Sequence, residues 1–211
     1  MKKLIVSLNL AVFLCLSADC KKNESDDNTS LVAALVALAN GNCFNVPQTV
    51  VVKDGNSAAT TTYTCAVAGK VYTCVPNTGN TVIRTYSSAV AAKLGVVDPP
   101  SFSNQHVQRG LASRVEGATT NTFTYNSSNQ LTAVASPTVT YSNYDPYGFP
   151  KTTSGGQTIT NTYAAGASRP ATSSDGAMTY TYDSNGWATK IDFGFGQPTT
   201  AENTGSLAIC D

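Results

Sequence analysis

Tyr125, Tyr144, Tyr163 and Tyr182 are separated by 19 residues each time, and the segments around them align on those tyrosines. A fixed period of this length marks one supersecondary unit built several times over, and it constrains the fold more than any local propensity. The four copies read TFTYNSSNQLTAVAS, YSNYDPYGFPKTTS, TNTYAAGASRPATSS and TYTYDSNGWATKID. Four residues after each tyrosine stand Asn129, Gly148, Ala167 and Gly186. Turn-forming pairs recur in the same phase at Ser136-Pro137, Gly155-Gly156, Ser174-Asp175 and Phe193-Gly194. Each unit therefore carries two turn signals.

The fourth copy shows what one unit does. Tyr180 and Tyr182 fall on one face of a strand, and Thr179 and Thr181 on the other. Asp183 opens a turn, its carboxylate accepting backbone N–H groups two residues on, and Gly186 supplies the positive φ needed to leave it. Asp145, Pro146 and Gly148 repeat this chemistry in copy two, and Asn126 and Asn129 in copy one. Copy three, with Ala164, Ala167 and a displaced Gly166, is the weakest. The expectation is a mainly β fold: an antiparallel meander of eight short Thr- and Tyr-rich strands over residues 119–197.

The pattern Tyr-Asp-x-x-Gly followed by an extended stretch resembles the YD or RHS repeat of bacterial secreted and surface proteins. Tyr144, Asp145 and Gly148 match it directly, as do Tyr182, Asp183 and Gly186; Tyr125 with Asn126, Asn129, Leu131 and Thr132 matches with conservative changes. Tyr163 marks the third copy. The family commonly has Arg after the Gly, where this chain has Gln130, Phe149, Ser168 and Trp187. The resemblance implies a β-hairpin building block and extracellular display. It implies no toxin-enclosing shell, which takes far more than four repeats.

The N-terminus points to export. Lys2 and Lys3 precede an apolar run over residues 4–16, which suits a signal peptide and is short for a membrane span. Leu16, Ser17, Ala18, Asp19 and Cys20 resemble a bacterial lipobox of the looser spirochaete type. That resemblance implies a signal peptide of residues 1–19, lipidation at Cys20, and a polar tether, KKNESDDNTS, within residues 20–30. The acyl chains would make the membrane a partner.

Four cysteines then remain, an even number in an oxidising compartment. In TTTYTCAVAGKVYTCVPN, residues alternate on both sides of Gly69-Lys70, a two-residue hairpin turn with Gly first. Counting outward pairs Cys65 with Cys74 at a non-hydrogen-bonded position, where the close approach suits a disulfide. Cys43 with Cys210 follows by exclusion. SLVAALVALANGN reads as a short helix, QTVVVKDGN and NTVIRTYSS as strands, SAVAAKLG as helical, and VVDPPSFSNQ as a connection. Residues 31–118 are thus expected to form a small disulfide-containing α+β region, with a boundary near residue 118 and a C-terminal tail at 198–211.

Composition narrows the function. Thirteen basic residues balance thirteen acidic ones, so the surface lacks the positive excess that nucleic acid requires. His106 is the sole histidine, and neither GxSxG nor HExxH occurs. Asp175 and Asp183 sit at turn positions, and the four thiols lack zinc-ligand spacing, so no catalytic residues, metal or cofactor are expected. The repeat tyrosines read more readily as core than as a binding platform, whereas Tyr147, Phe149 and Trp187, beside the turns, are the candidate ligand contacts. The expected function is a lipid-anchored envelope protein, in the outer membrane and surface-exposed, that binds a glycan or host protein. A periplasm-facing structural lipoprotein is the alternative, and an enzyme acting on cell-wall or extracellular polymer a weaker one.

Overall fold

The computed structural model describes residues 41–57, 59–136 and 138–211. The signal segment 1–19, Cys20, the tether and the helix expected to begin at Leu31 lie outside the described residues. The described chain runs β1 (Cys43–Val46), β2 (Thr49–Lys53), β3 (Thr60–Ala68), β4 (Val71–Pro76), β5 (Val82–Tyr86), helix α1 (Ala89–Ala92) and β6 (Leu111–Glu116). The repeats supply β7 (Thr119–Tyr125), β8 (Leu131–Ala135), β9 (Val139–Tyr144), β10 (Pro150–Thr153), β11 (Thr160–Tyr163), β12 (Pro170–Ser174), β13 (Thr179–Tyr182) and β14 (Ala188–Asp192). These are the eight strands that the period implied. The segment 198–211, expected as a tail, instead forms β15 (Thr199–Thr204) and β16 (Leu207–Cys210).

Fourteen strands make one antiparallel sheet in the order β10-β9-β8-β7-β6-β5-β4-β3-β2-β15-β14-β13-β12-β11. β15 is the keystone of that order: it pairs with β14 on one side and β2 on the other, joining the repeats to the N-terminal strands. Its alternation places Thr199 and Ala201 on the buried face and Thr200 and Glu202 outside, a strand pattern too weakly apolar to stand out in the sequence. The boundary expected near residue 118 falls in the tight β6–β7 turn, where pairing of Glu116 with Thr119 carries the sheet straight through. The two ends of the order come together at a bridge between Thr152 and Thr158, and Ile159 N–H donates to Lys151 O at 2.9 Å. The sheet is therefore nearly closed.

The hairpin read at Gly69-Lys70 has the register deduced for it: Ala68 faces Val71 and Cys65 faces Cys74. Gly69 has φ +58°, as a turn with Gly first requires. Cys65 and Cys74 are disulfide-bonded with Cα atoms 4.1 Å apart, the narrow spacing of a non-hydrogen-bonded pair. The second disulfide, Cys43–Cys210, crosslinks β1 to β16, which pair with each other outside the large sheet. α1 is capped twice: Ser88 Oγ accepts from Ala91 N–H, and the Asp211 carboxylate accepts from the Ala89 and Val90 N–H groups.

The interior is filled by the segment between α1 and β6, irregular but for one 3-10 turn over Gln105–Val107. Val96, Val97, Asp98, Asn104, His106, Val107, Gln108 and Arg109 are all buried. This one segment touches β5 through Arg84, β12 through Ser173 and β13 through Tyr182. Five strands separate β5 from β13 in the sheet order, so the contacts are possible only because the sheet curls around the segment. Val52, Tyr72, Tyr86, Phe123, Val134 and Trp187 belong to the apolar lining that surrounds it.

The two disulfides should differ in weight. Loop-closure entropy gives about 2.7 kcal/mol for the crosslink spanning 9 residues and about 5 kcal/mol for the one spanning 167. Replacing both members of Cys43–Cys210 by Ala should lower the denaturation midpoint roughly twice as far as the same change at Cys65–Cys74, measured by urea unfolding.

Candidate functional site

Three of the four repeat turns are each built by one side-chain oxygen. Asp145 Oδ1 accepts from the N–H groups of Tyr147 at 3.0 Å and Phe149 at 2.9 Å. Asp183 Oδ1 does the same for Asn185 at 2.8 Å and Trp187 at 2.9 Å, and Asn126 Oδ1 for Ser128 and Gln130, both at 3.0 Å. Closure needs a left-handed residue at the fourth position, met by Gly148 at φ +83°, Gly186 at +79° and Asn129 at +57°. Copy three lacks the side-chain acceptor and keeps only Ala167 N–H to Ala164 O, with Gly166 at φ +76°.

The reach of the turn acceptor to the residue after the glycine changes the reading of the aromatics. Ladder pairing slips at Thr181/Tyr182, so the residue after Gly186 enters the next strand shifted in phase. Trp187 is consequently 7% exposed, with Nε1 donating to Asn45 O at 3.0 Å, and Phe149 is 1% exposed beneath the Arg109 guanidinium, 4.5 Å from its ring centroid. Neither can be a surface ligand contact: both are core residues. Tyr147, 46% exposed, keeps the accessible position expected of it.

Two arginines that sequence reasoning passed over lock the turns together. Arg109 donates to Tyr147 O and Asn129 O, joining the turns of copies two and one. Arg169 donates to Ser184 O and Asn185 O in the turn of copy four. Their guanidinium groups reach the turns from outside them, one from the interior segment and one from the preceding copy. The family's Arg after the glycine has no counterpart at Gln130, Phe149, Ser168 and Trp187.

The repeat tyrosines lie on alternate strands and each hydroxyl is engaged. Tyr125 donates to Leu111 O at 3.1 Å, Tyr144 to Leu131 O at 2.8 Å and Tyr182 to Asp98 Oδ1 at 3.2 Å. Tyr163 donates to Asp145 Oδ2, which also accepts from Asn161 Nδ2 at 3.5 Å. Burial and the Asp145 carboxylate push the Tyr163 phenol far above its ordinary range, so it remains a donor. Asp145 thus ties copy two to copy three at the place where the ladder between β10 and β11 is thinnest. Tyr147 leans on Tyr163, ring centroids 4.5 Å apart and planes 42° from parallel. The two rings wall a cleft of about 510 Å³, completed by Asp145, Pro146, Lys151 and Ile159.

His106 lies deeper. Its Nε2 is 2.9 Å from Ser173 Oγ, and Ser173 donates to Asn161 Oδ1 at 2.7 Å. Because Ser173 gives its proton to Asn161, His106 Nε2 must carry one and donate to Ser173. The imidazole offers that hydroxyl no lone pair, and Ser173 is 0% exposed, so the pair is not set up as base and nucleophile. Asp98 accepts from Asn104 N–H at 2.6 Å and Gln108 Nε2 at 2.7 Å beside the buried Arg84. Asp175 and Asp183 serve their turns, Asp175 Oδ1 accepting from Ala177 and Met178 N–H. Among the described residues no group of three or more His, Cys, Asp or Glu is placed to hold a metal ion. No known family model matches the chain, and no curated protein matches it.

The two buried titratable groups oppose each other. Burial pushes Asp98 up to about 6, against the pull of Arg84, and burial pushes His106 down to about 4. The folded state therefore binds the Asp98 proton more tightly than the unfolded chain, and stability from that group is lost as pH rises from 3.8 through about 6. His106 has the reverse sign: stability is lost as pH falls from 6.5 through about 4. Asp98→Asn should steepen acid destabilisation over pH 6.5 to 4, and His106→Gln should flatten it, both read from urea midpoints against pH.

Proposed function

We propose that this chain is a lipid-anchored protein of the bacterial cell envelope whose β-repeat domain displays a glycan-binding surface, centred on Tyr147. The observation that carries this reading is the Tyr147–Tyr163 pair. An exposed ring fixed against a second ring, itself held by a carboxylate, forms a rigid aromatic wall over a cleft with polar groups on its other sides. Sugar rings stack their apolar faces on such walls and hydrogen-bond their hydroxyls beside them. The anchoring half of the proposal rests on Lys2, Lys3, the apolar run at 4–16, the lipobox-like residues ending at Cys20 and the polar tether. The resemblance to YD repeats supports display outside the cell. Among the described residues no helix is long and apolar enough to cross a membrane.

A periplasm-facing structural lipoprotein without an external ligand is the second reading. The burial of Phe149 and Trp187, two of the three aromatics that a binding surface could have used, favours it.

Cys20→Ala should abolish incorporation of labelled fatty acid, and protease added to intact cells should remove the domain without permeabilisation. In a glycan array, Tyr147→Ala should weaken binding about fivefold, in line with an aromatic contact of about 1 kcal/mol, while the unfolding midpoint stays unchanged. Protection from protease until the outer membrane is opened would favour the structural reading. An array signal indifferent to Tyr147 would remove the glycan site.

A further inference from the structure

A second cleft, of about 340 Å³, lies between β1, the residues around α1 and the turn of copy four, lined by Asn45, Lys93, Gly95, Arg169 and Asn185 over a floor of Phe44 and Val97. Its charge is one-sided. Lys93 and Arg169 line it together, no acidic residue lines it, and neither cation takes part in an ion pair among the described residues. Lys93 stands exposed directly after α1, while Arg169 is half-buried.

Arg169 is the better organised of the two. Its guanidinium is fixed by the carbonyl oxygens of Ser184 and Asn185, which orient it without neutralising it. Gly186 leaves the space that the guanidinium occupies: a Cβ there would stand 2.9 Å from Arg169 Nη1. The remaining N–H groups of the fork are available to an incoming oxyanion. The side-chain carboxamides of Asn45 and Asn185 make no hydrogen bond among the described residues, and each offers both a donor and an acceptor.

We infer that this cleft binds an acidic sugar, its carboxylate or sulfate held between Lys93 and Arg169 and its hydroxyls by the carboxamides of Asn45 and Asn185. The volume falls at the lower end of the roughly 300–1,000 Å³ range of small-ligand clefts, which suits a single charged sugar residue. Paired carboxamides favour a polyhydroxylated ring over an acidic peptide side chain, which would leave them unused. The site is separate from the Tyr147 wall and does not depend on it.

The test is NMR titration of the full chain with D-glucuronate, with D-glucose and with a short glutamate-rich peptide. Glucuronate should shift the backbone amides of Gly95, Asn185 and Ala208, and glucose should leave them in place. Lys93→Gln, a change at an exposed side chain, should weaken glucuronate binding about fivefold or more without altering the unfolding midpoint, and Arg169→Lys should weaken it further. Equal response to glucose and glucuronate, shifts confined to Tyr147 and its neighbours, indifference to Lys93→Gln, or a response to the peptide alone would each overturn the inference.

Discussion

Everything in this fold depends on how the irregular segment between α1 and β6 is solvated inside the sheet. Backbone carbonyls buried away from water need donors, and a segment whose only regular piece is the 3-10 turn Gln105–Val107 supplies few of its own. Arg84 provides them, giving Nη1 to Asp98 O at 2.8 Å and Nη2 to Pro99 O at 3.0 Å, and Arg114 gives Nη2 to Pro100 O at 2.8 Å. Asp98 is the opposite charge in the same interior. A buried guanidinium and a buried carboxylate with full hydrogen bonding are tolerable together, and either alone is not. Removing Arg84 would strand three kinds of partner at once: a charge, a set of carbonyls and the segment that orders His106, Arg109 and the turns.

The repeats supply the wall, and their regularity has a chemical origin in one side-chain oxygen in each of three turns, Asn126, Asp145 and Asp183. In copies one, two and four that oxygen sets the turn and the left-handed fourth residue ends it, and in copies two and four the next side chain, Phe149 or Trp187, turns inward. Leu131 and Val134 in β8, Pro170 and Ser173 in β12, and Ala188 and Ile191 in β14 share the same buried positions. Copy three places Ser173 where copies one and four have Val134 and Ile191, and that exchange is met by His106. The exception in the repeat and the sole histidine are thus two halves of one contact.

What could be read beforehand was what depends on near neighbours. The Cys65–Cys74 register follows from Gly69-Lys70, and the turns follow from Asn126, Asp145 and Asp183 with their left-handed partners. The burial of Trp187 was not legible, because its Nε1 acceptor is 142 residues away in β1. Ser173 and His106 are 67 residues apart, Asp98 and Tyr182 are 84, and no local pattern links either pair. Phe149 and Trp187 did carry a signal: large apolar residues recur directly after the glycine of two copies, and both side chains are buried. The candidate site was half legible, since Tyr147 stood out beside its turn while the support from Tyr163 and Asp145 crosses from one copy to the next.

The central claim is that residues 96–109 are an interior element although their regular structure is limited to one 3-10 turn over Gln105–Val107. Amide hydrogen exchange, followed by mass spectrometry on peptides from this segment, measures that directly. The expected result is protection comparable to the strands β5 and β13 that it touches, lost in the same unfolding step. Exchange within seconds under native conditions, as an exposed connection would show, would contradict it.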